Sequence, residues 1–263
     1  MTLKIVALDE NSEKTFWNHV NQDPLHYYFF IVDWQQRRDQ TEILLAMETD
    51  KVEGMALLYT DYIVQLRGGR NAVESLVKHV NLDQIELQAP MDCEDIILRK
   101  YQPLSPRSKH ELVLMRLSKG DETLQFTEIP VRLGVEDAER VVEIMAEADR
   151  EWWSELTSET QRKALETGFW IGVKQEGKLV SVGGTRFFDL VSNISTVATD
   201  EQYRNRGYAT SIVSGLVQEI FKHSPTAIIH VMRDNGPAVK AYSKVGFKPY
   251  KHYLLMRAER IKT

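Results

Sequence analysis

Cysteine is almost absent from this chain of 263 residues: Cys93 is the only one. A single thiol makes no intrachain disulfide and falls short of a cysteine-based zinc site, so a reducing, cytoplasmic setting without a metal is expected. Excess positive charge is lacking as well. The net charge is −5 and the pI about 5.9, which argues against a general nucleic-acid binder, because such a protein needs a basic face to displace counterions. Long apolar runs are missing too. Between Met1 and Lys14 the only apolar run is Ile5-Val6-Ala7-Leu8, and the aromatic stretch from Tyr27 to Val32 stops at Asp33. Neither a signal peptide nor the ~20 apolar residues of a membrane span is expected. The 43% hydrophobic and 27% charged residues suit a globular chain. At roughly 150 residues per domain, the length allows one large domain or two small ones.

Hydrophobic periodicity is clearest in the second half. Val131-Arg132-Leu133 reads as a short strand, and Val135 to Leu156 as a helix with Ala138, Val141, Val142, Met145 and Trp152 on one stripe. Trp152 is then a core residue, and Trp153 the better candidate for a pocket wall. Gly168 to Lys174 and Lys178 to Phe188 flank Gln175-Glu176-Gly177, a hairpin turn. Asn193 to Thr199 is a strand, Tyr208 to Phe221 a helix and Ala227 to Met232 a strand. Asn235-Gly236-Pro237 opens a short helix that Gly246 closes, and Lys251 to Arg257 is a last strand.

The first half repeats this order more weakly. Thr41 to Thr49 and Val52 to Tyr59 form a hairpin, followed by strand Ile63 to Leu66, helix Asn71 to Val80 and strands Ile85 to Gln88 and Glu111 to Leu117. Val73, Leu76, Val77 and Val80 fall on Val213, Leu216, Val217 and Ile220 after a shift of about 140 positions, and Tyr101 falls on Tyr242 after about 141. This predicts a tandem repeat, with a first domain over 1–120 and a second over 125–263, joined by the polar stretch Ser118 to Thr123.

The chemistry gathers around one loop: Thr199-Asp200-Glu201-Gln202-Tyr203-Arg204-Asn205-Arg206-Gly207-Tyr208-Ala209. A strand, a polar loop, a glycine and then a helix make an anion cradle, since the first helical amides have no internal acceptor and the helix dipole adds positive potential. Gly207 admits a close backbone approach, Ala209 leaves room, and Arg204 and Arg206 can add charge-assisted bonds. Neither a P-loop nor a dinucleotide glycine fingerprint is present.

Arg204-x-x-Gly207-x-Ala209, followed by Asn235-x-x-Ala238-x-x-x-Tyr242-x-x-x-Gly246-Phe247, resembles the GNAT superfamily of acyl-CoA-dependent N-acyltransferases. The resemblance spans about Gln125 to Arg260. It implies an α/β fold of two tandem GNAT-like domains, each a mixed, mostly antiparallel sheet flanked by helices, with central parallel strands splayed apart. It implies acetyl-CoA as co-substrate, held by Val197, Ala198, Thr199, Arg204, Asn205, Arg206, Gly207, Tyr208, Ala209, Thr210, Asn235, Ala238 and Tyr242. An amide near Val197 would polarise the thioester carbonyl, and Tyr242 would protonate the departing thiolate. His230 is the candidate base, because the unperturbed histidine value of about 6.5 suits proton removal from an attacking ammonium. A satisfied core histidine is the alternative, as is a water held by Asn193 and Ser195. The acceptor would be a small amine, an amino acid or a peptide N-terminus, and the protein a monomer or homodimer without nucleic acid or membrane partners. A non-catalytic acyl-CoA sensor, or a glycine N-acyltransferase-like enzyme with a longer acyl donor, stays open.

The first half lacks the cradle. Its strand-to-helix loop is about nine residues shorter, no Arg-x-x-Gly-x-Ala occurs, and Pro103 follows Tyr101 where Gly-Phe would be needed. A degenerate domain with a structural or acceptor-cleft role is expected, with Arg67, Gly68, Gly69 and Arg70 as a conceivable small-anion site.

Overall fold

Alternating apolar segments and capped helices build the chain in a computed structural model that describes residues 3–150 and 152–262. In chain order the elements are β1 (Lys4–Ala7), α1 (Glu13–Val20), α2 (Tyr28–Gln36), β2 (Thr41–Glu48), β3 (Lys51–Tyr59), β4 (Ile63–Gly68), α3 (Arg70–Val77), β5 (Gln84–Pro90), α4 (Glu94–Ile97), β6 (Tyr101–Pro103) and β7 (Lys109–Ser118). There follow β8 (Val131–Arg132), α5 (Ala138–Ala148), α6 (Ser158–Thr167), β9 (Phe169–Gln175), β10 (Lys178–Arg186), β11 (Ser192–Thr199), α7 (Tyr208–Ile220), β12 (Thr226–Met232), α8 (Gly236–Val245) and β13 (Lys248–Arg260).

The chain divides into two compact units. The first takes residues 3–113, 232–234 and 251–262; the second takes 114–231 and 235–250 apart from residue 151, which is not described. In the first unit β1, β2, β3 and β4 pair antiparallel in sequence, and β4 pairs parallel with β5 through Ile63–Glu86, Val64–Leu87 and Gln65–Gln88. Tyr253 to Glu259 of β13 then pair antiparallel with β5, and Ala258 to Arg260 with β6. On one face α3 buries Val73, Leu76 and Val77 among Leu66, Leu87 and Met256; on the other Phe16, Phe30 and Trp34 pack on Leu45 and Leu57. The last strand thus groups with the first half of the chain, although in sequence it follows the second.

The second unit runs β8, β9, β10, β11 and β12, all antiparallel except the parallel pair β11 and β12. Helices α5 and α6 bury Ala138, Val141, Ile144, Met145 and Leu165 over Trp170, Val182 and Ala198. Helix α7 buries Ile212, Val213, Leu216, Val217 and Ile220.

Three expectations change. The helix predicted over 135–156 ends at Ala148, where Asp149 turns to extended backbone (φ −154°). Trp152 therefore does not extend its stripe, and Trp153 packs partly buried on the α5–α6 core; residue 151 lies outside the described residues. Helix α6, which the periodicity did not reveal, starts at a reciprocal cap between Thr157 and Thr160. Tyr101 opens a strand, not a helix like that of Tyr242. It is buried with its hydroxyl donating to the Val80 and Leu82 carbonyls, both at 3.0 Å.

The small-anion site proposed for the first half is also absent. Arg67 is 1% exposed, lies 4.2 Å from the Tyr253 ring centre, and spends its donors on Leu66 O, Gln65 Oε1, Gln88 Oε1 and His26 O. Arg70 forks onto the two carboxylate oxygens of Asp95, each at 2.8 Å. Added Cβ atoms on Gly54 and Gly68 would each fall about 2.6 Å or less from neighbouring atoms, so α3 packs directly on these strands with no room for a loop.

Candidate active site

Strands β11 and β12 pair only through Ser192–Ala227, Asn193–Ile228 and Ile194–Ile229. Beyond Ile194 they part. The cause lies on the other edge of β11: Gly184 pairs with Thr196 and Thr185 with Ile194, so Ser195 is an extra residue, a bulge that bends the strand. Ser195 Oγ holds the bend by donating to Gly184 O at 3.1 Å.

Alternation then decides where the backbone points. Asp200 N–H donates to Val180 O at 2.9 Å, so the pairs Val180–Asp200, Val182–Ala198 and Gly184–Thr196 face each other with their amides and carbonyls. Val197 and Thr199 lie between, and their N–H and C=O groups turn to the opened side, where β12 no longer pairs. The Thr199 carbonyl there accepts from Arg204 Nε at 3.3 Å.

The loop from β11 to α7 is pinned at its base. Asp200, 4% exposed, accepts from Gln202 N at 3.0 Å and from Lys178 Nζ at 3.4 Å, and pairs with Arg140. Burial pushes its carboxyl upward in pKa, but the Gln202 amide, Lys178 and Arg140 outweigh that and hold it below the usual carboxylate value. At the loop's end Asn205 (φ +63°) and Gly207 (φ +84°) are left-handed. A Cβ on Gly207 would stand 2.7 Å from Thr127 Cγ2, so glycine is required there on both counts. Helix α7 begins at Gly207 without a side-chain cap, and its first internal bond runs from Ser211 N to Gly207 O. The amides of Tyr208, Ala209 and Thr210 therefore remain for an external acceptor, where the helix dipole favours an anion.

Arg204 and Arg206 lie back along the loop. Arg206 donates to Gln202 O at 3.3 Å, and its guanidinium stands 5.1 Å from the Tyr203 ring centre. Helix α8 supplies the opposite wall. Asn235 Oδ1 caps it by accepting from Ala238 N at 3.2 Å, Pro237 lies in its first turn, and Gly246 (φ +111°) ends it. A cleft of about 540 Å³ runs between the walls, lined by Val197, Ala198, Thr199, Arg204, Asn205, Gly207, Tyr208, Ala209, Thr210, Asn235, Ala238 and Tyr242, and further by Ala148, Tyr203, Lys240 and Lys244. Of the cofactor candidates only Arg206 stands outside this lining. Lys240 and Lys244 were missed in the sequence, although their mutual i, i+4 spacing, three residues after Pro237 and Ala241 respectively, puts them along one side of α8.

Tyr242 is 6% exposed, and its hydroxyl has no hydrogen-bond partner among the described residues. Burial alone raises its pKa well above the ordinary tyrosine value, so the hydroxyl keeps its proton. His230 is half-buried on β12, one residue past the last β11–β12 pair, at the start of the opening. It does not line the cleft.

Among the described residues no group of three or more His, Cys, Asp or Glu could hold a metal ion, and no helix is long and apolar enough to cross a membrane. The arrangement can seat an extended ligand with an anionic group at the α7 amides, and present a reactive atom to the Val197 amide and the Tyr242 hydroxyl.

Comparison with known proteins bears on the fold. Residues 138–247 match the acetyltransferase (GNAT) family. No curated protein sequence matches. Among solved structures, a GCN5-related N-acetyltransferase from Sphaerobacter thermophilus is 13% identical with TM-score 0.62, covering 100% of this chain and 96% of its own. A GNAT-family acetyltransferase from Colwellia psychrerythraea is 14% identical with TM-score 0.56 over 97% and 99%. A tandem GNAT protein from the clavulanic acid biosynthesis pathway is 12% identical with TM-score 0.58 over 99% of both chains. At these identities the likeness concerns the fold.

Proposed function

We propose that the chain, whose residues 138–247 match the acetyltransferase (GNAT) family, transfers an acetyl group from acetyl-CoA to a primary amine by direct attack. The observation that carries this reading is the junction of two features: the opened edge of β11 at Val197 and Thr199, and the uncapped amides behind Gly207. The residues fit acyl-CoA. A pantetheine-like arm has backbone partners along Val197 and Thr199, and a pyrophosphate has the α7 amides. Lys240 and Lys244 add positive charge along the cleft.

When bound, acyl-CoA supplies an activated acyl group on a thioester sulfur. The protein's own groups do the rest. The Val197 N–H, held without a strand partner, donates to the thioester carbonyl oxygen as negative charge grows there. His230, or a water beside it, takes a proton from the ammonium of the acceptor, which leaves a free lone pair on nitrogen. As the C–N bond forms and the C–S bond breaks, the Tyr242 hydroxyl gives its proton to sulfur and regains one from the amine. The balance is one amide, one thiol and one proton released. Cys93 is buried in the first unit and takes no part.

The test is calorimetry with CoA and acetyl-CoA, followed by thiol release on a panel of amines. Binding with turnover is expected. Tight binding without thiol release on any amine would leave a binding protein, and no binding would remove the cleft assignment.

A further inference from the structure

The opening between β11 and β12 has two sides. The cleft is lined mainly by the β11–α7 loop, α7 and α8, with Ala148 and Ala198 besides, and it includes neither Asn193 nor His230; a nucleophile bound for the same reactive atom has to come from outside that lining. The registers say which side chains stand there. A Cβ on Gly183 would strike Ile212 and Leu216 of α7, whereas one on Gly184 would strike the Trp170 ring. Gly184 thus faces away from α7, and Arg186, two residues on, shares its face. Arg186 pairs with Asn193, and Asn193 with Ile228. His230, two residues past Ile228, joins them. Asn193 and His230 therefore stand together on the face away from α7, the one on which α5 and α6 pack over Trp170 and Val182, where the strands begin to separate.

Asn193 carries an anomaly. Its Oδ1 is buried and has no hydrogen-bond partner among the described residues. Its backbone carbonyl, by contrast, accepts from Thr185 Oγ1 at 2.8 Å. Arg186 does not serve the amide; its guanidinium donates to Thr167 Oγ1 at 3.2 Å. A buried acceptor without a donor costs stability, and native proteins keep few of them.

We propose that Asn193 Oδ1 binds the acceptor, taking an N–H from the incoming amine beside His230, and that this contact selects primary amines over alcohols of the same shape. The inference rests on the transferase reading above. A primary ammonium has three N–H bonds and loses two in forming an amide, so one N–H can stay on Oδ1 throughout. An alcohol has one O–H, and that proton must leave. An acceptor-only oxygen next to the base therefore supports nitrogen attack to the end and is abandoned by oxygen attack.

The experiment follows thiol release from acetyl-CoA with 2-phenylethylamine, L-lysine, spermidine and L-alanylglycine, and with 2-phenylethanol as the matched alcohol. Asn193→Leu and Asn193→Asp are then compared with the wild type on the amine that turns over best. Asn193→Leu is expected to raise the amine KM at least tenfold while the acetyl-CoA Kd, read by calorimetry as a check of folding, stays within twofold. Asn193→Asp keeps an oxygen in place and is expected to hold the amine KM within threefold. An unchanged amine KM in Asn193→Leu, or equal damage in both variants with acetyl-CoA binding intact, overturns the assignment. Turnover of 2-phenylethanol equal to that of the amine overturns the selection. A wild type that releases no thiol with any amine overturns the transferase reading itself.

Discussion

The Asp200 N–H donates to the Val180 carbonyl at 2.9 Å, and this bond sets the facing of the last turn of β11. Because Asp200 looks toward β10, Val197 and Thr199 look toward the opening. The same residue pins the following loop through its carboxylate, so the strand edge and the α7 amides are positioned from one point.

Asp200→Asn should therefore do two things. It removes the charge that Arg140 and Lys178 face while keeping an oxygen for Gln202 N–H. Stability is expected to fall by about 2–3 kcal/mol, the scale of a lost charge-assisted bond, and the acetyl-CoA Kd to rise. The sign with pH follows from the depressed carboxyl. Its contribution is present above the unfolded value near about 3.9 and is lost as pH falls through the lower folded value. Denaturant titrations at pH 7 and pH 3 check both.

Gly207→Ala forces a left-handed φ of +84° on a residue with a Cβ and drives that Cβ to 2.7 Å from Thr127 Cγ2. The backbone term alone costs about 1–2 kcal/mol. Calorimetry should show acetyl-CoA affinity down at least tenfold, because the α7 amides shift with the helix start. An unchanged Kd would mean that the phosphates bind elsewhere.

Tyr242→Phe removes the proton donor and little else, since the hydroxyl has no partner among the described residues. We expect kcat to drop roughly 100-fold, with the acetyl-CoA KM almost unchanged. Burial keeps the wild-type hydroxyl protonated, so the wild-type rate should show no alkaline loss from this group through about pH 10. Identical kcat for variant and wild type at every pH would end the acid assignment.

His26, in the first unit, predicts an acid weakness. Burial first, and then the Arg67 charge, lower its pKa to about 3. The unfolded chain takes up a proton near about pH 6.5 that the folded chain refuses. The neutral ring's contribution is whole above that value and falls as pH drops toward the folded one, with a slope of up to about 1.4 kcal/mol per pH unit. Unfolding midpoints at pH 7 and pH 5 for His26→Gln should lie closer together than for the wild type.

Much of the second unit was legible in sequence because its signals are local. Gly207, Asn235, Pro237 and Gly246 mark helix ends, and each end is where the backbone places it. The apolar stripe of α7 repeats at helical spacing over thirteen residues. Helix α6 escaped because it buries only Gln161 and Leu165, too few to show a period. Helices α1 and α2 were hidden by aromatic residues that suit strands as well as helices. Asn193 reads as an ordinary strand residue. Its missing partner is a property of neighbours brought in from β10 and β12, and no local pattern carries that. The same holds for Arg67, whose charge suggests a ligand until Gln65, Gln88 and Tyr253 are seen around it.

The place of β13 has a consequence for synthesis. Its residues from Lys251 onward complete the sheet of the first unit, next to β5 and β6. On the ribosome those strands emerge long before their neighbour does. Met256 and Leu254 reach the α3 core only after every residue of the second unit has been made. The half of the protein that is translated first is thus the half that finishes folding last, and a stalled or clipped chain ending near residue 250 would expose the edge of β5 rather than damage the cleft.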